Sequence, residues 1–114
     1  MTADRMRRVD EAVREVLSDA IAKRLKDPRV GFVTVTAVET APDLRRARVF
    51  VSVLGDRSVR KRSLQGLRSA HGVLQRAVAA ELRLKHTPAL EFVYDDTTER
   101  GMRIAELIER EAGE

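Results

Sequence analysis

Cysteine is absent from the 114 residues, and so is tryptophan. Without cysteine there are no disulfides and no thiolate chemistry, and nothing ties the chain to an oxidising compartment. Aromatics are scarce, with one Tyr and three Phe. Long apolar runs are missing too, and none approaches the ~18 residues a membrane span needs. The opening MTADRMRRVDEAV has no apolar stretch of signal-peptide type. No Ser/His/Asp set, phosphate-binding loop or metal-ligand spacing appears, and the two histidines have no neighbouring nucleophile or ligand set, which argues against an enzyme. The expectation is a cytoplasmic protein of one domain, 1–114, long enough for one core and not two.

What is present is charge. Charged residues make up 35% and hydrophobic ones 43%, the balance of a soluble domain with a heavily charged surface. Residues 1–88 hold 19 Lys and Arg against 10 Asp and Glu, whereas residues 89–114 hold 3 against 8, so a body of +9 precedes a segment of −5. Of the 22 basic residues 18 are Arg, whose planar fork suits phosphate. A polyanion partner and a merely solvated mixed-charge surface both account for this pattern.

Residues 5–26 carry Met6, Val9, Val13, Val16, Leu17, Ala20, Ile21 and Leu25 at helical spacing, opposite Arg7, Arg8, Arg14, Lys23 and Arg24. Asp27-Pro28 predicts the helix end. GFVTVTAVE (31–39) is rich in β-branched residues and reads as a strand. Beyond the turn at Pro42-Asp43, LRRARVFVSVLG (44–55) alternates, predicting Ala47, Val49, Val51 and Val53 inward and Arg46, Arg48, Phe50 and Ser52 on the other side. The short connection makes the two an antiparallel hairpin. Phe50 can stack on a base or pack under helices; with so few aromatics, a core position is the expectation.

Asp56 or Ser58 opens a helical region over 58–84, with Leu64, Leu67, Leu74, Ala77, Val78 and Leu82 as its apolar positions. Its first turns hold Arg57, Arg60, Lys61 and Arg62, which oppose the helix dipole, as cations serving an external anion would. Gly72 interrupts it at a cost of roughly 1 kcal/mol, and Gly66 has no evident reason. His86-Thr87-Pro88 ends the region, and ALEFVYDD (89–96) is a third strand with Leu90, Phe92 and Tyr94 on one side. Asp96 with Glu99 forms a capping-box pattern for a last helix over 97–112, with Ile104, Ala105 and Ile108 inward. The order is α-β-β-α-kink-α-β-α, an α+β class.

Three segments then carry a resemblance: KDPRVGFVTVTAVETAPDLRRARVFVSVLGD (26–56), SAHG (69–72) and TPALEFVYDDTTERGMRIAELI (87–108). Together they resemble the ribosome-binding factor A family over nearly the whole chain. The resemblance implies a KH-like type II domain: a three-stranded sheet packed by helices, α-β-β-α-kink-α-β, plus a short C-terminal helix. It implies a non-enzymatic bacterial assembly factor that binds the immature small (30S) ribosomal subunit and assists late maturation of 16S rRNA. It also implies that an Ala-x-Gly kink, here Ala70-His71-Gly72, replaces the GxxG loop with which ordinary KH domains clamp a nucleotide backbone. With one glycine instead of two, threading of single-stranded RNA does not follow, and recognition by charge and shape is an alternative. A general single-stranded RNA binder and a protein-interaction adaptor are competing readings.

The candidate RNA-binding residues are Arg45, Arg46 and Arg48 on the second strand; Arg60, Lys61 and Arg62 before the kink; and Arg68, Ala70, His71, Gly72 and Arg76 around it. Helix geometry places these on several faces, so not all can meet one strand of RNA. Asp95, Asp96 and Glu99 are carboxylates a hard cation would accept, but helix capping explains them better. No metal, cofactor, membrane or small-molecule substrate is expected, and the protein is expected to be a monomer. Arg100-Gly101 matches the family's pattern and is expected to pack.

Overall fold

The computed structural model describes residues 3–84, 86–97 and 108–110. Six elements follow one another: α1 (Ala3–Arg24), β1 (Val33–Thr40), β2 (Arg46–Val53), α2 (Arg57–Ser69), α3 (His71–Leu82) and β3 (Ala89–Tyr94). The strands form one sheet in the order β1-β2-β3, with β1 antiparallel and β3 parallel to β2. All three helices pack on one side of the sheet, and among the described residues the other side is open.

The alternation of β2 decides which side is which. Ala47, Val49, Val51 and Val53 are buried under the helices, joined by Val13, Leu17, Leu67, Leu74, Val78 and Phe92. This core is almost wholly aliphatic, with Phe92 its one aromatic among the described residues. Phe50 departs from the expectation: it is only half-buried and lies on the open side, because strand period 2 opposes it to Val49 and Val51. Position in the strand, and not aromatic character, sets its environment.

β1 would lose its pattern halfway without a bulge. Val35 pairs with Val51 and Ala37 with Phe50, so Thr36 is an extra residue. It turns Thr36 and Ala37 outward together and returns Val38 and Thr40 to the buried side. The bulged Thr36 hydroxyl then reaches across the open face to Asp95, donating to Oδ2 at 2.7 Å. The other Asp95 oxygen, Oδ1, accepts the Thr97 N–H at 3.0 Å. Both oxygens of this carboxylate serve the fold.

α1 stops at Arg24, before Asp27-Pro28, and the Asp27 carboxylate instead closes a turn on Arg29. Residues 27–31 then run along α2. Gly31 N–H donates to Ser63 Oγ (3.1 Å), and Ser63 Oγ donates to the Arg29 carbonyl (3.3 Å). Here Gly66 finds its reason: a Cβ on it would stand 2.6 Å from Val30 Cγ2, closer than real carbons come. The absence of a side chain lets the 27–31 segment cross α2.

Asp56, not Ser58, caps α2, accepting the Val59 N–H at 2.9 Å. α3 ends where Arg83 takes a left-handed φ of 46°. Thr97 and residues 108–110 are helical; the rest of the expected last helix, with Glu99, Arg100, Gly101, Ile104 and Ala105, lies outside the described residues. Ile108 is 61% exposed and so does not face inward as expected.

Candidate nucleic-acid interface

Ala70 alone separates α2 from α3 and serves as the last cap of one and the first of the other. Its φ of −89° and ψ of 8° lie in the bridge region, open to any residue. Its N–H bonds back to the Gly66 and Leu67 carbonyls (3.0 and 3.1 Å), and its own carbonyl accepts from Leu74 N–H (3.1 Å). The bend therefore sits at Ala70, and Gly72 is already the second residue of α3. Nothing crowds Gly72: the nearest atom to a Cβ there would be Arg76 Nη1, at 3.8 Å. The kink does not require this glycine.

What the bend creates is a helix start without a cap. Alanine has no side chain to accept the first-turn N–H groups, no side-chain cap bond forms, and no acidic residue occupies the first turn of α3. Three cationic or protonatable side chains surround it. Arg68, in the last turn of α2, donates from Nη2 to the Phe92 carbonyl on β3 at 3.2 Å. His71 Nδ1 lies 2.9 Å from the Arg68 carbonyl. A carbonyl can only accept, so Nδ1 carries the hydrogen and Nε2 is left for an outside partner. Arg76, one turn on, lines a surface depression with His71, Gly72, Gln75, Ala79 and Thr87.

A second depression links this corner to the sheet. Arg68, His71, Leu90, Glu91 and Phe92 line it, and Glu91 also lines a third, with Glu39, Thr40, Ala41, Arg46 and Arg48. A belt of cations thus runs from Arg46 and Arg48, around the β3 edge at Glu91, to Arg68, His71 and Arg76. β2 is the central strand, so Arg46 and Arg48 lie on the open face and not along a sheet edge. Arg48 stands in register between Glu39 on β1 and Glu91 on β3, two carboxylates that lower the potential there. Sequence reading misses Glu91, which becomes visible only once the parallel β2–β3 register is known. Arg45 lies in the hairpin turn, its N–H on Asp43 Oδ1 (3.0 Å) and its carbonyl accepting from Ala89.

The cluster at the start of α2 divides. Arg60 is half-buried, with its guanidinium carbon 4.0 Å from the centre of the Tyr94 ring, a cation–π contact that fastens α2 to β3. Lys61 and Arg62 are exposed, Arg62 reaching the Ser58 carbonyl only at 3.4 Å. Arg7, Arg14, Lys23 and Arg29, which lie outside these clusters, form ion pairs with nearby carboxylates. Among the described residues no group of three or more His, Cys, Asp or Glu side chains is placed to hold a metal ion.

Known proteins share this architecture. A crystal structure of ribosome-binding factor A from Thermus thermophilus superposes with a TM-score of 0.70 at 27% identity, covering 78% of this chain and 94% of that one. A Thermus thermophilus ribosome-binding factor A homology model, fitted into a cryo-EM map of a 30S–RbfA complex, superposes with a TM-score of 0.64 at 28% identity, over 75% of this chain and 90% of that one. Ribosome-binding factor A of Anaeromyxobacter sp. strain K is 52% identical over 112 residues, 97% of this chain and 80% of the relative. The sequence model of the same family matches residues 5–108. The chain with the Ala70 bend and its arginine belt belongs to the ribosome-binding factor A family.

Proposed function

We propose that this protein is a non-enzymatic assembly factor of the bacterial cytoplasm, which binds the immature small ribosomal subunit as a monomer and assists late maturation of 16S rRNA. The observation that carries the reading is the bend at Ala70: it opens a helix N-terminus with no side-chain cap between Arg68, His71 and Arg76. Some backbone N–H groups at the bend bond back to the Gly66, Leu67 and Arg68 carbonyls, so the attraction for a phosphate comes from the positive end of α3 and the flanking cations. The belt toward Arg46 and Arg48 extends that surface over more than one phosphate. The relative fitted into a 30S complex supports the choice of partner. No helix among the described residues is long and apolar enough to cross a membrane.

Contacts of this kind release counterions, so affinity falls with salt by close to one logarithmic unit per phosphate for each decade of salt. Sedimentation of the purified protein with small subunits tests the reading. Co-migration at low salt that is lost at high salt supports it. Association that ignores salt and survives ribonuclease would replace RNA with a protein partner.

A further inference from the structure

The orientation of His71 carries a chemical consequence. Its Nδ1 lies 2.9 Å from the Arg68 carbonyl one turn back. A carbonyl only accepts, so Nδ1 holds the hydrogen, and the neutral ring is left with a lone pair at Nε2. A lone pair accepts a hydrogen bond but cannot donate one. The surroundings favour the opposite. His71 is exposed and borders two depressions, whose charged lining residues are Arg68 of α2, Arg76 on its own helix and Glu91 of β3. Arg68 is held there by the Phe92 carbonyl, at 3.2 Å. The two depressions differ in charge. Glu91 lines the one toward the sheet, whereas the other joins His71 to Arg76 with no carboxylate among its described lining residues.

We propose that His71 is a proton-linked phosphate contact: an RNA phosphate seated between His71 and Arg76 binds the imidazolium form, and each complex takes up one proton from solvent. Neutral, the ring turns its Nε2 lone pair on the phosphate oxygens and repels them. Protonated, both nitrogens donate, Nδ1 to the Arg68 carbonyl and Nε2 to the anion. An anion beside the ring favours its positive charge, so phosphate binding and protonation strengthen each other by the same factor. Glu91, on the far side of the ring, repels a polyanion and turns it toward Arg76. The inference rests on the RNA-binding reading of this corner and makes its strength depend on pH.

Affinity for purified small subunits is measured at fixed salt at about pH 6 and about pH 8, for the parent, His71→Gln and His86→Gln. A phosphodiester keeps its charge over this range, and His86 is the other histidine of the chain. The parent and His86→Gln are expected to bind roughly three- to tenfold more tightly at the lower pH, and His71→Gln to bind equally at both. Parallel profiles in the parent and His71→Gln would overturn the proposal while leaving the ribosomal reading standing. So would a parent indifferent to pH beside a His71→Gln that binds more weakly throughout, which would make Nε2 an acceptor for an RNA hydroxyl. Should the protein ignore subunits at both pH values, the ribosomal reading fails and the magnetic resonance titration of the His71 ring decides. A midpoint raised by a single-stranded oligoribonucleotide supports the contact, and an unmoved one overturns it.

Discussion

Gly66 and Val30 meet where the 27–31 segment crosses α2, with 2.6 Å between Val30 Cγ2 and the place a Cβ on Gly66 would occupy. The two glycines of the long helical region thus have opposite status. Gly66→Ala forces the crossing apart and is expected to destabilise by about 1–3 kcal/mol, the usual range for overpacking, less the ~1 kcal/mol alanine gains as a helix former. Gly72→Ala meets only Arg76 Nη1, at an ordinary contact distance of 3.8 Å, and is expected to match or slightly exceed the parent in melting temperature. Thermal unfolding of both proteins distinguishes them, and a reversed order would refute the packing account.

Gly72→Ala also separates stability from binding. If exposed backbone at the start of α3 receives a phosphate, the added methyl weakens small-subunit affinity although the fold is unharmed. Equal affinity in parent and variant would confine recognition to the side chains of Arg68, His71 and Arg76.

Glu91 interrupts the arginine belt, in register with Arg48 and lining the same depression as Arg68. Glu91→Gln removes a negative charge from the path of an approaching polyanion. Exposed charges contribute about 1 kcal/mol at most, so the expected gain is roughly two- to five-fold in affinity at low salt, shrinking as salt rises. A loss of affinity would mean that Glu91 itself touches the partner.

Arg60 and its neighbours call for separate treatment. Arg60→Ala gives up the contact with Tyr94 and is expected to cost about 1 kcal/mol of stability. A double-mutant cycle with Tyr94→Leu should recover most of that as coupling. Lys61→Glu with Arg62→Glu should leave stability alone and weaken subunit binding. If Arg60→Ala melts as the parent does, the stacked pair is ornamental.

Asp27 gives the pH dependence. Hydrogen bonds from the Arg29 side chain and backbone hold its carboxyl below the ordinary carboxylate range. A carboxylate depressed in the folded state stabilises above its unfolded pKa, near ~3.9, and the contribution is lost as pH falls through the folded value. Stability is therefore expected to decline below about pH 4, and Asp27→Asn to flatten that decline. Identical acid profiles for the two proteins would show that the turn at Asp27 does not report on folding.

Local periodicity makes much of this fold legible. The inward set Ala47, Val49, Val51 and Val53 and the stripe on α1 depend on residues within a few positions of each other, as does the cap of α2, which the sequence narrows to Asp56 or Ser58. The break before α3, by contrast, falls at Ala70 and not at the Gly72 that local sequence points to. What escapes depends on partners far along the chain. Gly66 is explained by Val30, Arg60 by Tyr94, Glu91 by Arg48, and the outward turn of Thr36 by a bulge against Val51 and Phe50. Phe50 is misplaced when composition is weighed above alternation. The candidate site is legible as a set of arginines, but not as a belt with a carboxylate in its middle and a separate cluster whose Arg60 lies on Tyr94.

The parallel pairing of β3 with β2 sets an order of events in folding. β1 and β2 are adjacent and can zip as soon as both exist, whereas β3 must wait for residues 54–88 to be made and for α2 and α3 to form the crossover. Until β3 docks, Arg68 has no Phe92 carbonyl to hold and Arg60 no ring to lie on. A growing chain therefore presents its hairpin early and completes the kink surface last.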